Sequence, residues 1–276
     1  MDLIIQGIEI ETSDLRQLAK LSGASKIERI NGNAFRLIDA SQRDRISSLC
    51  LEAELDFAFV DEPKSLNQFR LIAMDMDSTL VGIETIDEIA DIHGMRKQVA
   101  EITEKAMYGE IDFSEGLIQR VALLKGLEHS VLQRVYDERL IFNPGAEKML
   151  KKLKVAGIKT MLISGGFTFF TDKLKDRLGL DYTFANTLET VNGRLTGRLL
   201  GEVCGAKGKG WALNKICNKL GFRKENLMAI GDGANDLSMF AEAGVSIAYH
   251  AKPIVQENAT YAINHVGLDG VINIFQ

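Results

Sequence analysis

The sequence predicts an α/β protein: a doubly wound parallel sheet with an inserted helical cap, preceded by a small α+β domain. Three observations carry this. From residue 70 onward, short apolar runs alternate with amphipathic stretches of helical period, the pattern of a parallel sheet covered on both faces. Between the first two of these runs, Glu84 to about Leu140 reads as helical almost throughout. Residues 1–60 instead show short strands and helices in the order βαββαβ. A chain of 276 residues can bury a sizeable core and form more than one domain. The expected division is 1–64 for the α+β domain, 70–81 with 143–276 for the core, and 82–142 for the cap.

Leu3 to Ile5 is the first expected strand, and Thr12-Ser13-Asp14 stands where a cap would start an amphipathic helix to about Leu21. Strands follow near Lys26 to Ile30 and Phe35 to Ile38, joined by a turn at Asn31-Gly32-Asn33. A helix from about Ser41 to Ala53 and a strand from Asp56 to Val60 complete a split, ferredoxin-like arrangement. Asp61-Glu62-Pro63-Lys64-Ser65 reads as a linker. Leu71 to Met74 is apolar on every residue, as a strand buried on both faces must be. The cap helices break at Gly94, Gly109 and Gly126, and Asn143-Pro144-Gly145 returns the chain to the core and starts a helix. Helices and strands then alternate to the end, interrupted by a hairpin at Thr190 to Leu195 on an Asn192-Gly193 turn.

Chemistry gathers at the ends of the apolar runs. The first run closes in Asp75-Met76-Asp77-Ser78-Thr79, two carboxylates one residue apart followed by two hydroxyls. Carboxylates so close repel unless a cation lies between them or one keeps a proton. The second ends in Ser164-Gly165-Gly166, where glycines let backbone N–H groups approach a ligand and a helix start at Phe167 adds its positive end. Lys209 stands in Gly208-Lys209-Gly210, read as a turn before the helical run Trp211 to Leu220. The third run ends in Gly231-Asp232-Gly233-Ala234-Asn235-Asp236, whose last two residues are read as opening a helix. Open α/β sheets bind ligands at the carboxyl ends of their strands, so these segments are expected to share one crevice. Hard carboxylate oxygens suit Mg²⁺, and the lysine and amides suit a phosphoryl group.

The set D-x-D-S-T, S-G-G, K-G and G-D-G-A-N-D, in this order, resembles the haloacid-dehalogenase-like (HAD) phosphatases, from about Arg70 to the C-terminus. Within them it is similar to the phosphoserine phosphatases, on Glu84 in Gly82 to Glu88, on Ala106-Met107-Tyr108-Gly109, on Phe113 and on Arg120. Met74 and Met76 stand where many members carry Phe, a swap among apolar residues. Lys207 lies two residues before Lys209, which is preferred because the helix after it aligns best.

The resemblance implies a HAD-like core with a cap that reads the amino acid, and hydrolysis of O-phospho-L-serine to L-serine and phosphate, the last step of serine biosynthesis. Asp75 is the expected nucleophile, since an Asp carboxylate can form an aspartyl phosphate. Asp77 is expected to protonate the leaving oxygen and then activate water. Mg²⁺ is the expected cofactor, held by Asp75, Asp232 and the Asp77 carbonyl, with Asp236 orienting water or Lys209. Ser164, Gly165, Gly166, Lys209 and Asn235 are expected to hold the phosphoryl group. Arg120 can fork onto the substrate carboxylate and Glu84 can pair with its ammonium, while Met107 and Phe113 wall off water. Phe113 and Arg120 are seven apart, two helical turns. Two alternatives stand beside this. One is phosphoryl transfer to another small alcohol such as homoserine, or action on another small phosphomonoester. The other is an amino-acid-binding regulatory protein, which would not need this set of side chains.

Composition bounds the rest. With 46% hydrophobic and 26% charged residues the chain is ordinary for a globular protein. A formal charge of -5 gives no reason to expect nucleic-acid or anionic-membrane partners. No apolar run is long enough to span a bilayer, and the start lacks a basic segment and cleavage site. Cys50, Cys204 and Cys217 lack metal-ligand spacing; their odd number suggests reduced thiols in a cytoplasm. The fold order of the N-terminal domain resembles the ACT-type domains, which bind amino acids and often dimerise. The resemblance makes a regulatory or homodimer-forming module one expectation and a packing domain the other.

Overall fold

The structure is a computed structural model that describes residues 1–61, 65–107 and 110–275. Glu62, Pro63 and Lys64 of the expected linker lie outside the described residues. The chain begins with β1 (Asp2–Gln6), α1 (Thr12–Ser22), β2 (Lys26–Asn31), β3 (Ala34–Ile38), α2 (Ile46–Glu52) and β4 (Asp56–Val60). The four strands pair antiparallel in the order β2-β3-β1-β4. Leu3 and Ile5 turn to one face, where Leu15 and Leu18 of α1 and Ile46 and Cys50 of α2 cover them. Ile4, Ala58 and Val60 turn to the other and join the main core. This sheet is therefore buried on both sides at its centre, which is why β1 reads as a continuous apolar run.

Two local expectations are corrected. The residue capping α1 is Glu11, with no side-chain cap, so Thr12 lies inside the helix and the Ser13 hydroxyl donates to Glu11 at 3.2 Å instead. α2 starts at Ile46, five residues after Ser41, because Arg45 adopts a left-handed φ of 64° that blocks an earlier start.

β5 (Leu71–Met74) opens the second sheet. The helices α3 (Thr85–Ile92), α4 (Arg96–Met107), α5 (Phe113–Leu123) and α6 (Ser130–Glu138) follow it. Then come α7 (Ala146–Val155), β6 (Lys159–Phe167), α8 (Thr168–Leu178), β7 (Tyr182–Val191) and β8 (Arg194–Leu200). The chain ends in α9 (Ala206–Leu220), β9 (Leu227–Gly231), α10 (Leu237–Glu242), β10 (Val245–Tyr249), α11 (Pro253–Glu257), β11 (Tyr261–Ile263) and α12 (Gly270–Asn273). The order across the seven strands is β11-β10-β9-β5-β6-β7-β8, all parallel neighbours except the β7–β8 hairpin. That hairpin turns on Asn192 and Gly193, both at positive φ (51° and 75°), the backbone a type I′ turn requires.

Successive residues of β5 serve opposite faces. Ile72 and Met74 pack with α7 and α8, while Leu71 and Ala73 pack with α9 and α10. β5 is central, and the chain winds away from it through β6 and β7 on one side and β9 to β11 on the other. The reversal places a crevice at the carboxyl end of β5. Helices α3, α5 and α6 send Ile86, Ile89, Leu117, Val121, Leu132 and Val135 into the same core as the sheet, and Ile86 and Leu117 also line that crevice.

Candidate active site

The carboxyl ends of β5, β6 and β9 bring Asp75, Ser164 and Asp232 to one crevice with a cavity of about 120 Å³, enough for a small molecule only. Its wall also includes Asp77, Gly165, Gly166, Asn235, Glu84, Phe113 and Arg120. Phe113 and Arg120, both on α5, face it together as their spacing requires. Met107 ends α4, but its side chain, with Tyr108 and Gly109, lies outside the described residues.

Asp75 is 5% exposed and Lys209, buried beside it, 1%. Lys209 Nζ reaches Asp75 Oδ1 at 2.8 Å and Asp236 Oδ1 at 2.7 Å. Asp236 is fully buried, and its Oδ2 accepts the Gly233 N–H at 3.0 Å. Lys209 lies within the first turns of α9, not in a turn before the helix. Of the glycines flanking it, Gly210 serves packing. A Cβ on Gly210 would stand 2.6 Å from the Ser238 carbonyl oxygen, so only glycine lets α9 approach α10 this closely.

Electrostatics follow from crowding. Burial, then the charge of Asp236, pushes the Asp75 carboxyl well above its ordinary range, against the pull of Lys209. Burial, then the charges of Glu84 and Asp75, does the same to Asp77. Burial lifts Asp232 to about 6, although a hydrogen bond from Thr79 opposes it. Burial disfavours the charge on Lys209, but Asp236 and Asp75 outweigh it and hold the ammonium charged. The site thus presents more negative charge than its lysine and arginine offset. Asp75, Asp232 and Asp236 each place a carboxylate oxygen within 4.8 Å of the others, and Asp77 Oδ1 is buried without a partner among the described residues. Clustered hard oxygens with unspent acceptor capacity fit a divalent cation.

Several polar residues here escaped the sequence reading. The Thr79 hydroxyl donates to Asp232 Oδ1 at 2.7 Å, and the Thr85 hydroxyl to Asp77 Oδ2 at 3.0 Å. Ser78, at φ 58°, donates to Glu84 Oε1 at 2.7 Å. The Asn143 amide donates to the carbonyls of Ser78 (3.0 Å) and Thr79 (2.8 Å), fixing the turn after Asp77. Ser78 and Thr79 were visible as hydroxyls beside the aspartates. Asn143 showed only as the start of a helix. Cys204, buried near Lys209, has its thiol pushed up to about 11 by burial and is no nucleophile at neutral pH.

Residues 69–244 match a family model described as haloacid dehalogenase-like hydrolase, and residues 3–46 match one described as a domain of unknown function, DUF4072. A phosphoserine phosphatase from Polaromonas sp. (strain JS666) is 52% identical over 214 residues, which is 76% of this chain and 91% of the relative. A solved HAD family hydrolase from Salmonella enterica serovar Typhi has a TM-score of 0.90 and 32% identity, covering 100% of this chain and 98% of that one. A structure described as the phospho-aspartyl intermediate analogue of phosphoserine phosphatase has a TM-score of 0.71 and 43% identity, covering 75% of this chain and 99% of that one.

Proposed function

Because the chain belongs to the haloacid dehalogenase-like hydrolase family, we propose that it is a Mg²⁺-dependent phosphatase that hydrolyses O-phospho-L-serine through an aspartyl-phosphate intermediate. The observation that carries the reading is the crevice itself. Asp75, which lines it, is paired with the buried ammonium of Lys209, and a carboxylate and a guanidinium, Glu84 and Arg120, line it as well. The Asp75–Lys209 pair beside Ser164 and Gly165 suits a phosphoryl group. Glu84 and Arg120 suit the ammonium and carboxylate of an amino acid, and Phe113 packs its ring against Gly165. The relatives named phosphoserine phosphatase support this choice of substrate.

Among the described residues, the Met76 N–H (2.7 Å) and Lys209 both bond the Asp75 carboxylate at Oδ1. Oδ2 is then the atom that attacks phosphorus as the bond to the serine oxygen breaks. Asp77, whose raised pKa keeps a proton available, gives it to that oxygen. Water then attacks phosphorus, Asp77 takes its proton, and the bond to Asp75 breaks to release phosphate. Lys209 holds Asp75 in place and, with Ser164 and the Gly165 amide, offsets charge on the phosphoryl oxygens. Asp236 anchors Lys209. Mg²⁺ would be held by Asp75, Asp232 and the Asp77 carbonyl and, when bound, would neutralise charge between Asp75 and the phosphoryl group.

Phosphate release from L-phosphoserine with Mg²⁺, measured for wild type and Asp75→Asn, tests this. We expect release by the wild type and none above background by the variant. A silent wild type would overturn the substrate, and an active variant would overturn the nucleophile.

A further inference from the structure

β6 and β7 fall out of step at the site. Ile163 pairs with Phe184 and Phe167 with Asn186, so Ser164, Gly165 and Gly166 bulge out opposite Ala185 alone. Residues in such a bulge leave the ladder, and their peptide groups need other partners. Asn186, 3% exposed, supplies one. Its Nδ2 donates to the Gly165 carbonyl at 2.8 Å and to the Cys204 carbonyl at 3.4 Å, and its Oδ1 accepts the Cys204 N–H at 2.7 Å. Both amide hydrogens and the oxygen are engaged, and a flipped amide would set oxygen against two carbonyls.

The Gly165–Gly166 peptide is gripped at both ends. Its carbonyl meets Asn186, and its N–H donates to Ser164 Oγ at 2.8 Å. A hydroxyl that accepts this bond keeps its own hydrogen to donate elsewhere. Ser164 opens onto the crevice, so that hydrogen is directed at an incoming phosphoryl oxygen. The same amide ties down Cys204, two residues before α9, the helix that carries Lys209.

We propose that Asn186 is a positioning residue for phosphoryl binding, aiming the Ser164 hydroxyl through the Gly165–Gly166 peptide. This rests on the reading of Ser164 as a phosphoryl donor. Asn186 acts on the phosphate end of the substrate and has no part in reading the amino acid.

Asn186→Asp tests it, because the shape and the Cys204 acceptor survive while the donor to Gly165 is lost; Asn186→Ser is the second variant should the charge prevent folding. Turnover is measured on phosphoserine and on p-nitrophenyl phosphate, beside orthovanadate binding by calorimetry, all with Mg²⁺. Removing a preorganised donor costs about 10²- to 10³-fold in kcat. We expect a loss of about 10-fold or more in kcat, equal on both esters, with vanadate binding weakened in parallel. In a Ser164→Ala background the Asn186 change should cost less than about 2-fold more, since coupled residues are non-additive. Unchanged kcat with only a lower Tm, losses that multiply in the double variant, or a loss confined to phosphoserine would overturn the proposal. A wild type active on p-nitrophenyl phosphate but silent on phosphoserine would instead overturn the substrate reading and leave this test intact. Should neither ester turn over, vanadate binding by the variants still decides it.

Discussion

Asp232 shows how much a single residue's surroundings decide. Its folded-state pKa, about 6, lies above the 3.8 of an unperturbed Asp. The folded chain therefore keeps this proton longer than the unfolded chain, and that contribution to stability is lost as pH rises from about 4 through about 6. Without metal, Asp232→Asn should be more heat-stable than wild type at pH 7.5, with the advantage shrinking below pH 6. Thermal melts in EDTA across that range check it. Adding Mg²⁺ should raise the wild-type Tm and leave the variant nearly unmoved, because a ligand bound only by the native state stabilises it. Equal shifts in both would remove Asp232 from the metal site. The sequence announced this carboxylate at the end of an apolar run and Thr79 beside the aspartates, but gave no sign that the two, 153 residues apart, bond. Long-range polar pairing depends on how strands approach, and no local pattern encodes that.

Helices and strands were legible where period and length spoke for them. The parallel core, the hairpin at Asn192-Gly193 and the helical run after Glu84 all follow from spacing. α9 was misread at its start because glycine has two uses: Gly208 and Gly210 looked like a turn, but both lie inside the helix and Gly210 serves close packing on α10. α5 was read correctly in its consequence: residues seven apart face the crevice together. Arg120 Nε donates to the Gly116 carbonyl at 3.3 Å, which leans the guanidinium along the helix. Hydrogen bonds to charged groups are worth about 1.5–3 kcal/mol each, so losing a two-pronged contact should cost about 10²-fold or more. We expect Arg120→Ala to reduce kcat/KM on phosphoserine by that factor and on p-nitrophenyl phosphate by less than about 3-fold. Equal losses on both esters would refute the assignment of α5 to amino-acid recognition.

At the scale of the whole molecule, the N-terminal sheet is joined to the rest by burial, by the Asp56 carboxylate and by Asn273, which accepts from Asn31 Nδ2 at 2.8 Å and donates to Gln6 Oε1 at 2.9 Å. Ile4, Ala58 and Val60 enter the main core. Asp56, 3% exposed, accepts the backbone N–H groups of Asn264 (2.6 Å), His265 (3.0 Å) and Val266 (3.0 Å), just after β11. That segment leans on Pro144, where the chain returns from the helical insertion, through the Leu268 N–H to the Pro144 carbonyl at 2.8 Å. Asn143 beside it fixes the turn after Asp77. A regulatory sheet would use this route to change turnover, whereas a packing sheet would use it only to hold the fold. The apolar burial of Ile4, Ala58 and Val60 argues for packing, since a sheet sealed into the core has little freedom to move as a unit. Asp56→Ala leaves three backbone donors without their charged acceptor, and water entering the gap restores part of the loss. A net cost of about 3 kcal/mol follows, and for a chain of this size that is a Tm lower by roughly 6–12 °C. With the variant held at 25 °C, kcat on phosphoserine should stay within about 2-fold of wild type, and added L-serine should act on both proteins alike. A changed kcat or serine response in a fully folded Asp56→Ala would make the sheet a regulator. An unchanged Tm would mean that the three N–H bonds contribute nothing and that apolar contacts and the Asn273 amide bonds hold the sheet.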